Sequence, residues 1–361
     1  MREDLKYWLA FSLIAKITPQ IFQKIYKNFP DLSFAWEKTN LSDFLKIGLK
    51  ENIAQEIITN RKRIDLDKEM ERLEKEKIKI LTLKDKNYPF LLKKIFDPPF
   101  VLFIKGDLRS ADLVLAVVGT RKPSVYGIQV TEHLVYELAS KFIIVSGLAL
   151  GIDGKAHETT LKREGKTWAV LGTGLDRNSL YPSSHRYLAE KIIKTGGVLI
   201  SEYPCGTLPL KYNFPRRNRL IAGLSLGTLV IEASESSGAL ITAFYALEEN
   251  RDVFAVPGNI YHLNSQGTNK LIKMGARIVC SAQDIFENYH LKFSPSKKDS
   301  KLSSLEEKVL ILLKEEPKNI DELIKVLSLD TQKLLATLTF MEMKGLIKNL
   351  GDGRFANLRY L

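Results

Sequence analysis

Residues 208–218 read LPLKYNFPRRN and continue into Arg219, gathering Lys211, Arg216, Arg217 and Arg219 around Tyr212 and Phe214. Cations that neutralise phosphates, set beside rings that stack on bases, are the residue types a single nucleic-acid strand requires. An ordinary basic loop that tucks Phe214 into the core has the same composition, so the segment needs support from elsewhere. Four other turns supply it: Gly119-Thr120-Arg121, Ser146-Gly147 with the stretch 151–155 that ends in Lys155, Gly172-Thr173-Gly174, and Ser236-Ser237-Gly238. Small residues let backbone N–H groups approach an anion, and a helix N-terminus adds partial positive charge. Arg121 contributes a planar donor fork suited to phosphate oxygens. Any one turn would also serve as a simple helix cap. Together the four describe a phosphate-binding floor.

Other chemistry finds little to work with. Gly172-Thr173-Gly174 has no third glycine at the dinucleotide spacing, and the stretch 151–156 lacks the loop length and hydroxyl of a P-loop. The five histidines, His133, His157, His185, His262 and His290, show no paired metal spacing, and no serine sits in a nucleophile elbow. His157 with Asp153 and Glu158 reads as local capping. The sequence therefore predicts no cofactor, no metal and no catalytic residue.

The turns must be held by elements, and these can be read from periodicity. Continuous apolar runs at 113–119, 142–147, 167–172, 198–203, 227–232, 252–256 and 276–280 alternate with amphipathic helical stretches. Uninterrupted runs mean strands buried on both faces, hence an α/β domain with a doubly wound, mostly parallel sheet. In such sheets ligands bind beyond the carboxyl ends of the strands, where these turns lie. Before it, residues 1–75 read as short helices with a helix–turn–helix hairpin at Gly48. A charged helix over 65–77 and a connector punctuated by Pro89, Pro98 and Pro99 follow. Residues 291–304 are a Ser/Lys-rich linker by composition. Residues 305–361 read as three helices and a terminal hairpin, a small winged-helix module.

The whole chain is 361 residues with 45% apolar and 27% charged side chains, which excludes a disordered or fibrous protein. Cys205 and Cys280 are too few for a disulfide scaffold and fit a reducing cytoplasm. The apolar run 7–15 falls short of the roughly 20 residues of a membrane span, and Glu3 and Asp4 do not suit a signal peptide. A net charge of +12 favours polyanionic partners, although lysine-rich base composition alone would also produce it. The tail from 301 carries ten basic and nine acidic residues, with Lys333 and Lys344 offset by Asp330 and Glu342. A groove-reading helix should be basic, so this tail is expected to contact protein.

These motifs resemble the DNA processing protein A family (DprA/Smf): VVGTR at 117–121, SGLALGIDGKAH at 146–157, AVLGTGLDRNSLYP at 169–182, ISEYP at 200–204, FPRRNRLIAGLS at 214–225 and SGALITAFYALEENRDVFAVPG at 237–258. The resemblance runs from about residue 80 to 288. It implies an extended Rossmann-like domain over 80–290, between an N-terminal sterile-alpha-motif or helix-hairpin-helix-like domain (1–75) and a C-terminal winged helix. It further implies a non-enzymatic protein of natural transformation that binds single-stranded DNA, protects it and helps load the RecA recombinase, usually as a homodimer. Gly119, Thr120 and Arg121 take the place of the family's glycine–serine–arginine loop. Lys211 and Phe214 take those of its lysine and phenylalanine, and Arg217 and Asn218 those of its arginine–asparagine motif. The expected DNA-binding set also includes Ser146, Gly147, Lys155, Arg216, Arg219, Ser237 and Gly238. Gly48 stands alone where a DNA-binding hairpin has two glycines, which argues against DNA binding there. The competing reading is a nucleotide-processing enzyme of the phosphoribohydrolase type. Its PGGxGT loop is missing from the exit 232–240.

Overall fold

The structure is a computed structural model that describes residues 4–108, 111, 113–292, 303–343 and 346–358. Two compact units divide the chain, Met1–Phe293 and Ser294–Leu361.

In the first unit the strands are β1 (Lys79–Thr82), β2 (Val101–Gly106), β3 (Val114–Val118), β4 (Ile143–Ser146), β5 (Thr167–Leu171), β6 (Val198–Ser201), β7 (Gly227–Val230), β8 (Asp252–Ala255) and β9 (Arg277–Ile278). They form a nine-stranded sheet ordered β1-β2-β6-β5-β4-β3-β7-β8-β9. From β6 to β9 every pairing is parallel, whereas β1–β2 and β2–β6 are antiparallel. All seven apolar runs became the parallel strands. The segment read as a connector holds β1, β2 and the short helix Phe90–Lys93, so it extends the sheet by two strands. Its prolines, Pro89, Pro98 and Pro99, lie outside both strands, where a missing N–H costs no ladder bond.

Each central strand is apolar on both sides because both sides are covered. Val114, Ala116 and Val118 of β3 pack with Leu220 and Leu240 of the helices Asn213–Leu224 and Gly238–Glu248. Leu115 and Val117 face the other way, toward Leu134 and Leu138 of the helix Val125–Leu138 and Phe286. The six helices between Leu5 and Lys75 share a further core with the sheet, in which Trp8, Phe11 and Phe22 pack with Phe103, Leu171 and Leu199. Phe22 stacks on Phe100 at 3.9 Å between ring centroids.

The order reverses between β3 and β7. Chain leaving β3 turns toward one half of the sheet, and chain leaving β7 toward the other. That opens a crevice at their carboxyl ends.

In the second unit the helices Ser304–Leu312, Ile320–Leu327 and Thr331–Met343 enclose Val309, Leu323, Leu334 and Leu338 with Phe355. Strands Lys318–Asn319, Ile347–Gly351 and Arg354–Asn357 form a three-stranded antiparallel sheet, completing a winged helix. Asp330 accepts the backbone N–H groups of Gln332 and Lys333, and Glu342 accepts that of Asn349, so both acids serve the local fold. The expected linker falls largely on 293–302, and Lys344 and Gly345 also lie outside the described residues.

Candidate functional site

The crevice at the β3–β7 switch point is closed from below by backbone. Thr120 donates its N–H to the Glu232 carbonyl at 2.7 Å and accepts from the Ile152 N–H at 3.2 Å. A Cβ on Gly119 would stand 2.6 Å from Ile152 Cγ1. Gly151, at φ +80°, lies so close to the loop that a Cβ there would come within 2.8 Å of Arg121 Cα. The loop thus lies flat on the turn that opens the helix Ile152–Lys162. Only a glycine at both positions permits that approach.

This seating leaves the Arg121 side chain exposed, with its guanidinium carbon 5.6 Å from the centroid of the Phe214 ring. Phe214 is half-buried near the start of the helix Asn213–Leu224. Its ring packs 5.8 Å from that of Tyr181 and fits over Gly172, where a Cβ would lie 3.1 Å from Phe214 Cδ1. Lys211 and Tyr212 precede the helix and are exposed. A cation and two packed rings therefore border one another beyond β3 and β5, with Lys211 exposed three residues before Phe214.

The other arginines behave differently. The basic segment is a helical start rather than a loop, and the helix Asn213–Leu224 is buried on more than one side, so that arginines two positions apart, on nearly opposite faces, are both enclosed. Arg217 is only 4% exposed and Arg219 6%. The expectation that both line the surface is corrected accordingly. Arg217 Nη1 donates to the Gly147 carbonyl at 2.7 Å and also to the Val170 carbonyl. Asp153 Oδ2 accepts the Gly147 N–H at 3.1 Å from the opposite side. Burial holds the Arg217 guanidinium down to about 10, with the Asp153 charge working against that fall. Burial likewise pushes the Asp153 carboxyl up, opposed chiefly by Arg217. Arg219 Nη2 is shared between both Glu202 carboxylate oxygens, 2.6 Å from each, and its Nη1 donates to the Asp97 carbonyl at 2.6 Å. Half-buried Arg216 stands 3.8 Å from the same Glu202.

The remaining expected residues divide in the same way. Ser146 is buried and donates to the Val117 carbonyl at 2.6 Å, so it braces β3 and β4 from inside. Gly147 lies between Arg217 and Asp153. Lys155 turns to Glu132 at 3.2 Å and Glu158 at 3.4 Å, which leaves its charge already paired. Asn218 donates to the Gly238 carbonyl at 3.1 Å. Ser237 caps the helix Gly238–Glu248 through the Ala239 N–H at 3.3 Å, and Gly238 is exposed with open space around it.

Sequence reasoning did not single out Tyr181 or Glu232. Glu232 is buried and accepts from the Ser124 backbone N–H at 2.9 Å and hydroxyl at 2.5 Å, fixing the start of the helix Val125–Leu138. An acid closing an otherwise apolar strand run was the available signal. His157 is fully buried, bonded to Thr167 Oγ1 at 2.7 Å, and burial lowers it to about 3. Among the described residues no cluster of metal-ligating side chains occurs and no helix is long and apolar enough to cross a membrane.

An extended Rossmann-like sheet, with an exposed arginine and aromatic pair over its switch point, and a winged helix define the class as a doubly wound α/β protein with an appended winged-helix unit. Family comparison narrows that class. Residues 79–290 match the family of DNA recombination-mediator protein A, and 294–353 match the DprA winged helix domain. The chain belongs to the DNA processing protein A (DprA/Smf) family, whose members are recombination mediators rather than enzymes. It is 40% identical over 276 residues to DNA processing protein DprA of Bacillus subtilis, covering 75% of this chain and 90% of that one. The solved DNA processing protein A of Streptococcus pneumoniae superposes with a TM-score of 0.66 at 36% identity, over 80% of this chain and 99% of that one. That of Helicobacter pylori, whose structure concerns a unique single-stranded DNA binding mode, gives 0.53 at 31% identity, over 59% and 95%.

Proposed function

We propose that the protein binds single-stranded DNA without sequence preference along the switch-point rim. Phosphates lie on Arg121, Lys211 and the backbone amides of the strand ends, and a base leans on Phe214. The observation that carries this reading is the exposed Arg121 guanidinium held over the Phe214 ring, a phosphate donor and a stacking surface in one place. The single-strand binding mode of the Helicobacter pylori relative supports it. Arg217 and Arg219 act beneath the surface, as positioning residues for the loop after β4 and for the helix that presents Phe214.

The recombination-mediator description of the family extends the reading. In the cytoplasm the protein protects incoming single strands during natural transformation and helps load the RecA recombinase onto them, as a homodimer. A duplex hides the faces of its bases, so stacking is lost there and the single strand is preferred. Fluorescence anisotropy of labelled oligo-dT against the matching duplex, across a salt titration, tests the core of this. Tight, salt-sensitive binding that favours the single strand is expected. Equal or preferential binding of duplex would refute it.

A further inference from the structure

On the other side of the switch point from Phe214, the turn after β8 presents Ile260, Tyr261 and Leu263 to solvent, with Tyr261 88% exposed. Val125 and Tyr126, in the first turn of the helix Val125–Leu138, are exposed as well. The two segments are tied together. Asn264 donates to the Lys122 carbonyl at 3.0 Å, and the Tyr126 hydroxyl donates to the Pro257 carbonyl at 3.0 Å. The turn is also fixed internally. Gly258 and Asn269 exchange two bonds at 3.2 and 3.0 Å, and the Asn259 side chain accepts the Tyr261 N–H at 2.9 Å. Nothing in this backbone network requires large apolar side chains facing water. Such a cluster on a braced turn marks a surface that meets something.

Its place in the sheet says what. β5, whose end carries Gly172 under Phe214, lies two strands from β3 on one side; β8 lies two strands from β3 on the other. At about 4.8 Å per strand, β5 and β8 each lie about 10 Å from β3. Lys122, exposed and next to Arg121, is bonded through its own carbonyl to the β8 side. The rim thus carries two adjacent exposed cations at its centre, Arg121 against the Phe214 ring and Lys122 tied by its backbone to the β8 side, where Tyr261 is exposed.

We infer that Tyr261 is a second base-stacking platform and Lys122 its phosphate partner, so that one strand crosses the whole switch point from Phe214 to the β8 turn. The inference rests on the single-strand reading above and adds residues to that site. It is tested in the full chain with oligo-dT of increasing length, from about 4 to about 16 nucleotides. Tyr261→Ala is expected to leave the affinity of the shortest bound oligomer unchanged and to weaken the longest about tenfold. Tyr261→Trp should restore that affinity, and its fluorescence should be quenched by the long oligomer alone. Unchanged affinity at every length would overturn the inference, as would an equal loss at every length, which would fold Tyr261 into the Arg121 subsite. A variant that keeps its DNA affinity but changes its sedimenting mass would make the patch a protein-docking surface, again overturning it. If the unaltered protein binds no oligo-dT at all, the single-strand reading fails first.

Discussion

Gly147 sits with its carbonyl on Arg217 and its N–H on Asp153, one peptide flanked by two buried ions of opposite charge. A Cβ there would stand 2.7 Å from both the guanidinium and the carboxylate. Each ion offsets the other's desolvation, so removing one leaves an uncompensated charge. Arg217→Met is therefore expected to cost about 3–5 kcal/mol of stability in urea unfolding. His157 makes a separate prediction. Folded, it stays neutral with a pKa of about 3, while in the unfolded chain it takes its proton near 6.5. Between these values the unfolded state binds a proton that the folded state refuses. Stability is thus full above about pH 6.5 and declines as pH falls toward 3. His157→Gln should flatten that part of the profile of urea midpoint against pH.

Two elements hold the exposed charges, and they hold them independently. Arg121 rides on a loop seated by Gly119 and Gly151, and Lys211 precedes the helix Asn213–Leu224. Arg121→Ala and Lys211→Ala should each weaken binding to every sequence and each reduce the slope of log affinity against log salt by about one. An unchanged slope would take that residue off the phosphate path. The strands were legible in the sequence because both faces of each are covered, which turns a strand into an unbroken apolar run. β1 and β2 were not, since Pro89, Pro98 and Pro99 punctuate the stretch between them, so it read as a connector. The helix at 213 was hidden by its own composition, with Pro215 and three arginines among its first seven residues. Which of those arginines turn inward depends on Asp153 and Glu202, partners distant in sequence that no local pattern announces.

At the scale of the whole molecule, charge separates the two units. Basic excess lies in the first, and the exposed side of the helix Thr331–Met343 carries Leu335 beside Lys333. Deleting residues 301–361 is expected to change single-strand affinity by less than tenfold in the same anisotropy assay. A larger loss would assign the winged helix a direct part in holding DNA.

Phe22 lying face to face with Phe100 has a consequence for anyone who would trim the gene. The family match begins at residue 79, and that boundary invites a shortened clone. Yet Trp8, Phe11 and Phe22 insulate Phe103 and Leu199 from water. A fragment spanning 79–290 alone would carry a naked greasy flank into the cell and should be recovered from inclusion bodies. Supplying residues 1–78 as a separate chain during refolding should return it to solution.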